Sequence, residues 1–137
     1  NMKIKTIFII SGVLTTLMIA PAWVAALVPS VQEFFMVDGF GETMLKSPQA
    51  MEVFDTFLLV LSFMGMAILV PIFGATCIKD LEALKKLSLL FGIMLFLVAL
   101  PDYISLACGG AHPPAPIMII NVLAYLLMFY GWKKGVA

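Results

Sequence analysis

Four long apolar runs constrain this chain more than any other feature of its sequence. They cover residues 7–28, 54–78, 84–104 and 116–132. Runs of about 20 residues cross roughly 30 Å of hydrocarbon as a helix. The alternating ten-residue pattern of a β-barrel is not visible. Because lipid offers no partner to an open backbone, the spans must be helices. The sequence predicts an all-α polytopic membrane protein, with one four-helix transmembrane domain over residues 1–137.

Composition leads to the same class. Hydrophobic residues make up 63% of the chain and charged residues only 12%, whereas a soluble domain carries about 25% charged residues. The formal net charge is +0, and all eight basic residues are lysines. Without a basic field or a single arginine, the chain is not expected to bind nucleic acid.

The lysines predict the orientation of the bundle. Seven of the eight lie before the first run, between the second and third or at the start of the third, or after the fourth; Lys46 alone lies on the other side. The positive-inside rule then places both termini in the cytoplasm, and we expect a bacterial inner membrane.

The first run has an alternative interpretation. Lys3 and Lys5, an apolar run and the triplet around Pro21 could form a cleaved signal peptide. The run continues to Val28, however, which is longer than the usual signal core. We therefore expect a retained span, with Gly12 on a face of small residues that packs against another helix.

The first outer loop predicts a short amphipathic helix. Ser30 and Glu33 form a capping-box pattern, and Gly39 is placed to stop the helix. Ser47 and Pro48 are a start signal for the next helix.

The connection between the second and third runs is short. Asp80 is expected to cap the third helix, with Glu82 in its first turn. The two helices must then form an antiparallel hairpin.

Two acids lie near the predicted outer ends of this hairpin. Asp55 belongs to the second run and Asp102 to the third. A rise of 1.5 Å per residue from the short turn would put them at similar depth. An ionisable residue at this depth is a candidate for function, although both could simply face water at the interface.

Further polar residues belong to the same predicted mouth. The ligand-binding candidates are Glu52, Asp55, Asp102, Tyr103, His112, Asn121 and Tyr125. Asn121 and Tyr125 stand one turn apart on one helix face, where a hydrogen bond to a neighbouring helix is the structural alternative. Cys108 and His112 could belong to a metal site, but one Cys and one His on a loop are common by chance, and no metal is expected. Nothing in the sequence identifies a cofactor.

The layout resembles that of DoxX-like small bacterial membrane proteins. The resemblance covers most of the chain and rests on the stretch Leu27–Phe35 after the first span, on Gly65 within the long second helix and on the charged turn Lys79–Glu82. The arginine often found in that turn of the family is missing. The layout is also similar to that of sterol-binding and isomerase proteins, for which Glu52, Asp55 and Asp102 would be the matching acids.

Two functions are consistent with these features. The first is non-catalytic, either an accessory subunit of a membrane complex or a binder of a lipid-like hydrophobic ligand. The alternative is a membrane enzyme that acts on a hydrophobic substrate, with Asp55 and Asp102 as a proton-handling pair. The expected partners are the lipid bilayer and either other membrane subunits or a hydrophobic small molecule; a homo-oligomer is left open.

Overall fold

The computed structural model describes residues 1–137 and contains five α-helices and no strand. The helices are α1 (Ile4–Leu27), α2 (Pro29–Phe40), α3 (Pro48–Gly74), α4 (Leu81–Ala107) and α5 (Ala115–Lys134). All but α2 are long and apolar enough to cross a membrane. The predicted all-α polytopic layout with four spans is confirmed, and the chain is an integral membrane protein of the lipid bilayer.

The helix starts follow local chemistry. Asp80 caps α4, as predicted, because its carboxylate accepts the backbone N–H of Glu82 at 3.0 Å. Ser47 precedes α3 and accepts the N–H of Ala50 at 3.3 Å. The third span is longer than predicted: α4 continues through Pro101 to Ala107.

Two local predictions around α2 are wrong. Val28, not Ser30, is the N-cap residue, because Pro29 occupies the first helical turn and no side chain caps it. The helix also passes Gly39 and stops at Gly41. The φ angle of Gly41 is 87°, a backbone conformation that glycine adopts without the steric strain of other residues. Some apolar side chains of α2 are buried and others are exposed: Met36 is buried, while Phe34 is exposed.

The chain divides into two compact units. Unit 1 comprises residues 1–18 and 68–137, and unit 2 comprises residues 19–67. The description of one domain over 1–137 stays a prediction. The core of unit 1 is a cluster of buried apolar side chains: Ile4, Phe8, Ile68, Ile72, Ala75, Leu84, Phe91, Leu95, Ala124 and Met128.

Small residues bring the helices of unit 1 close together. A Cβ on Gly131 of α5 would lie 2.6 Å from the Ser88 hydroxyl of α4. That hydroxyl donates to the Met128 carbonyl at 2.6 Å. On α1, a Cβ on Gly12 would meet the Phe73 ring at 2.7 Å, so Gly12 faces another helix, as predicted. Such close backbone approach is typical of membrane helices, where no hydrophobic force drives helices together.

Unit 2 has its own close approach. A Cβ on Gly65 of α3 would lie 2.6 Å from the Ile19 side chain of α1. Nearby, the indole N–H of Trp23 donates to the carbonyl of Ser62 at 3.1 Å. Within unit 2, close packing and this hydrogen bond thus join α1 to α3.

Candidate functional site

The predicted site residues fall into two groups. Unit 1 holds Asp102, Tyr103, His112, Asn121 and Tyr125, and unit 2 holds Glu52 and Asp55. The first group lies at the end of unit 1 formed by the last turns of α4, the loop 108–114 and the first turns of α5. We call this end the polar mouth.

The loop of the polar mouth folds back over the end of α4. The hydroxyl of Ser105 donates to the carbonyl of Ala111 at 2.5 Å. The backbone N–H of Gly110 donates to the carbonyl of Ser105 at 2.8 Å. Gly109 allows this reversal with a φ of 70°, which other residues adopt only with strain. Pro114 then leads into α5.

His112 lies at the rim of the mouth. Its ring is exposed, and the side chain of Asp102 is half-buried. The two are close enough for an electrostatic interaction. The Nδ1 atom of His112 is 2.9 Å from the carbonyl oxygen of Pro113; a proton on Nδ1 would make this a hydrogen bond and leave Nε2 as the acceptor of the neutral ring.

Two tyrosines meet below the rim. Side chains on a helix lean towards its N-terminus. Tyr103 on α4 and Tyr125 on α5 therefore reach towards each other, and their hydroxyls are neighbours. No atom lies in hydrogen-bond geometry with the Tyr103 hydroxyl, although that oxygen is buried. The pair is close but unpaired.

Asn121 is the most buried polar residue of the mouth. It is only 5% exposed, and its Nδ2 atom lies 2.7 Å from the sulfur of Met18 on α1. Its Oδ1 atom is buried and has no hydrogen-bond partner. Tyr125 follows four residues later on the same helix, so Asn121 and Tyr125 share a face.

Aromatic rings surround these polar atoms. The ring of Tyr125 packs edge-on against Phe96 of α4 at 5.6 Å and against Phe129 of α5 at 6.2 Å between centroids. Tyr125 therefore links this aromatic cluster to the neighbouring hydroxyl of Tyr103.

The acids of unit 2 have different surroundings. Asp55 is exposed, and its carboxylate accepts the side-chain amide N–H of Gln32 at 3.2 Å. Glu52 is exposed as well; its backbone carbonyl accepts the hydroxyl of Thr56 at 2.9 Å. Since Asp55 and Asp102 belong to different units, their pairing stays a prediction.

Metal-ligating residues do not cluster. No group of three or more His, Cys, Asp or Glu side chains is arranged to hold a metal ion. Cys77 and Cys108 are free and exposed.

A shallow, open depression lies on the exposed face of α3 within unit 2. It is lined by apolar residues of this one helix: Leu59, Val60, Phe63, Met64 and Ala67. In a membrane protein such a face meets lipid tails or another helix.

Sequence reasoning missed two contacts that shape these sites. Met18 has an unremarkable position in an apolar run, and nothing in its spacing predicts a contact with Asn121 on a helix a hundred residues later. Gln32 was overlooked as a partner of Asp55; its place as the only amide in the amphipathic stretch was the available signal.

Comparison with known proteins identifies no relative: no protein-family model, no curated protein and no solved structure matches the chain.

Proposed function

We propose that this chain is a non-catalytic membrane protein that binds a lipid-like molecule at the polar mouth of unit 1. The observation that carries the proposal is the pair of buried oxygens without partners, the Oδ1 of Asn121 and the hydroxyl of Tyr103. Both oxygens are buried, and no side chain or backbone group lies in hydrogen-bond geometry with either of them.

The energetic argument concerns the cost of these oxygens. A buried polar atom left without a partner costs about 1–3 kcal/mol. The Oδ1 of Asn121 can only accept a hydrogen bond, whereas the Tyr103 hydroxyl can donate and accept. A guest with a donor group, such as a hydroxyl on an apolar body, would offset the cost at Asn121.

The surroundings suit the rest of such a guest. The rings of Phe96, Tyr125 and Phe129 form an aromatic cluster, and its Tyr125 hydroxyl neighbours that of Tyr103. Asp102 and His112 give the rim its polarity. Ligand sites commonly combine an apolar lining with a few polar groups in this way.

Native mass spectrometry after extraction in mild detergent tests the proposal. The wild-type protein should retain a lipid-like adduct, and both Asn121→Leu and Tyr103→Phe should lose most of it. Thr56→Val is the matched control, because it removes a hydroxyl from α3 that already has a backbone partner. Retention of the adduct by both mouth variants, or its absence from the wild type, would contradict the proposal.

A second candidate function is that of an accessory subunit. It is favoured by the exposed face of α3 within unit 2, on which Val60 and Phe63 are 51% and 66% exposed, and by the apolar depression on the same face. A photo-crosslinking residue at position 63 should then capture another membrane protein. Crosslinks to lipid alone would count against a subunit.

The layout and the lysines also suggest a location and a family for this chain. The lysine distribution favours an orientation with the lysine-bearing ends in the cytoplasm, and we propose a bacterial inner membrane. The DoxX-like layout is compatible with a small bundle of this kind. The enzyme alternative rests on the pairing of Asp55 with Asp102.

A further inference from the structure

The two ends of the sequence meet in unit 1. The N–H of Ile4 donates to the carbonyl of Val136 at 2.9 Å, and the N–H of Val136 donates to the carbonyl of Met2 at 3.2 Å. Together these bonds form a short parallel bridge between Lys3 and Val136. The start of α1 is thereby tied to the end of α5.

Tight packing supports this bridge. Gly135 is buried, and a Cβ there would lie 3.1 Å from the Ile4 side chain. Ile4 itself is 1% exposed. The bridge is therefore part of the packed structure of unit 1.

The bridge gathers lysines that are far apart in sequence. Lys3 and Lys5 stand at the beginning of α1, and Lys133 and Lys134 in the last turn of α5; all four are exposed. The contact between Ser88 and Met128 brings the first turns of α4 to the same end. Residues 79, 85 and 86 add three more lysines.

Acids offset little of this charge. Asp80 is engaged as the N-cap of α4, and Glu82 pairs with Lys85 at 3.5 Å. No other salt bridge forms in the chain. Seven lysines against two acids leave five positive charges at this end.

A tryptophan indicates the depth of these lysines. The Nζ atom of Lys133 lies 5.6 Å from the centre of the Trp132 ring, and Trp132 is 39% exposed. Tryptophan is enriched at the level of the lipid head groups. The amines and the phosphates of lipid head groups would therefore lie at the same level.

We infer that the lysine-bearing end of unit 1 binds anionic phospholipid head groups, with Lys3, Lys5, Lys133 and Lys134 as the principal contacts. A lysine amine is a compact cation that attracts phosphate without demanding a fixed geometry. The bridge between Lys3 and Val136 makes one surface from lysines of two chain segments. This surface is separate from the proposed ligand site at the polar mouth.

Electron paramagnetic resonance with spin-labelled lipids tests the inference on the full chain in phosphatidylcholine nanodiscs. The wild type should prefer labelled phosphatidylglycerol over labelled phosphatidylcholine. Each lysine replaced by glutamine should reduce this preference up to about fivefold. Lys133→Gln with Lys134→Gln is the main variant, and Lys46→Gln is the matched control from unit 2. Equal preference in the double variant and the wild type would overturn the inference.

A second pair of variants tests the bridge. Val136→Pro removes the N–H that donates to Met2 and keeps every lysine, whereas Val136→Ala keeps the N–H. We expect a weaker preference for phosphatidylglycerol only in the proline variant. An unchanged preference there would overturn the role of the bridge.

A competition experiment distinguishes binding of lipid head groups from binding of soluble phosphate. Inorganic phosphate should weaken the preference no more than sulfate of equal ionic strength, because both act only by screening. Specific displacement by inorganic phosphate would assign the surface to a soluble anion and overturn the inference.

Discussion

The hydroxyl of Ser88 on α4 donates to the backbone carbonyl of Met128 on α5 across a distance of 2.6 Å. The hydroxyl fits at this point because residue 131 of α5 is a glycine; a Cβ there would lie 2.6 Å from it. Hydrogen bonding and close backbone approach thus coincide at one point of the α4–α5 interface.

Gly131→Ala should destabilise the protein by about 1–3 kcal/mol, the usual cost of overpacking. The new Cβ would lie 2.6 Å from the Ser88 hydroxyl. Unfolding in detergent, followed by circular dichroism, measures the change in the free energy of unfolding.

Gly74→Ala is the control for this variant. Residue 74 has helical dihedral angles, and a Cβ there would meet nothing within 4 Å. Its replacement should be neutral or stabilise by up to about 1 kcal/mol. Adding Ser88→Ala to Gly131→Ala should recover part of the loss; a strictly additive double variant would show that the two positions do not interact.

Asn121→Leu should stabilise the delipidated protein by about 1 kcal/mol. It removes the buried Oδ1 atom that has no partner and keeps a side chain of similar size. Thermal unfolding of delipidated samples gives the sign, with Asn121→Ala as a comparison that should destabilise by leaving a cavity. A clear loss of stability in Asn121→Leu would mean that Oδ1 already has a partner in the delipidated protein.

Cysteine labelling should report the orientation in the membrane. Both thiols are exposed; Cys108 belongs to the loop of the polar mouth, and Cys77 lies next to the charged turn before α4. In intact cells, an impermeant maleimide should label the Cys77→Ser variant, whose one remaining thiol is Cys108. Cys108→Ser should react only after permeabilisation. The opposite pattern would place the lysine-bearing end outside.

Asp55→Asn should change the free energy of unfolding by less than about 0.5 kcal/mol. The side chain is exposed, and an asparagine oxygen can still accept the Gln32 amide N–H. Chemical unfolding measures this effect.

The same substitution separates the two classes of function. For a non-catalytic binder, Asp55→Asn and Asp102→Asn should leave the co-purified molecule chemically unchanged from that of the wild type. Accumulation of a different, unconverted molecule in both variants would favour the enzyme with a carboxylate pair.

The spans and several caps were predictable because they depend on local sequence. An apolar run has few alternatives to a membrane helix, and Asp80 caps α4 through a neighbouring N–H. The end of α4 at Ala107 lies three residues beyond the predicted end of the third run, because helix ends depend on local backbone contacts that hydropathy does not report. Gly39 and Gly41 were both plausible stops, and only the backbone dihedral at Gly41 distinguishes them.

The candidate site was predictable only in part. The sequence identified Tyr103, Asn121 and Tyr125 as polar residues within apolar segments, and the structure brings them to one end of unit 1. It could not predict the contact of Asn121 with Met18, because that contact depends on how α1 and α5 pack. The position of Asp55 relative to Asp102 likewise depends on helix packing and not on the rise per residue alone.

The hydrogen bond from Trp23 to Ser62 gives unit 2 its own optical reporter. The chain has two tryptophans, one in each unit: Trp23 is half-buried with its indole N–H engaged, while Trp132 is exposed beside Lys133. Replacing either one by phenylalanine leaves a single emitting indole. The fluorescence spectrum can then follow each unit separately during unfolding, without an added dye.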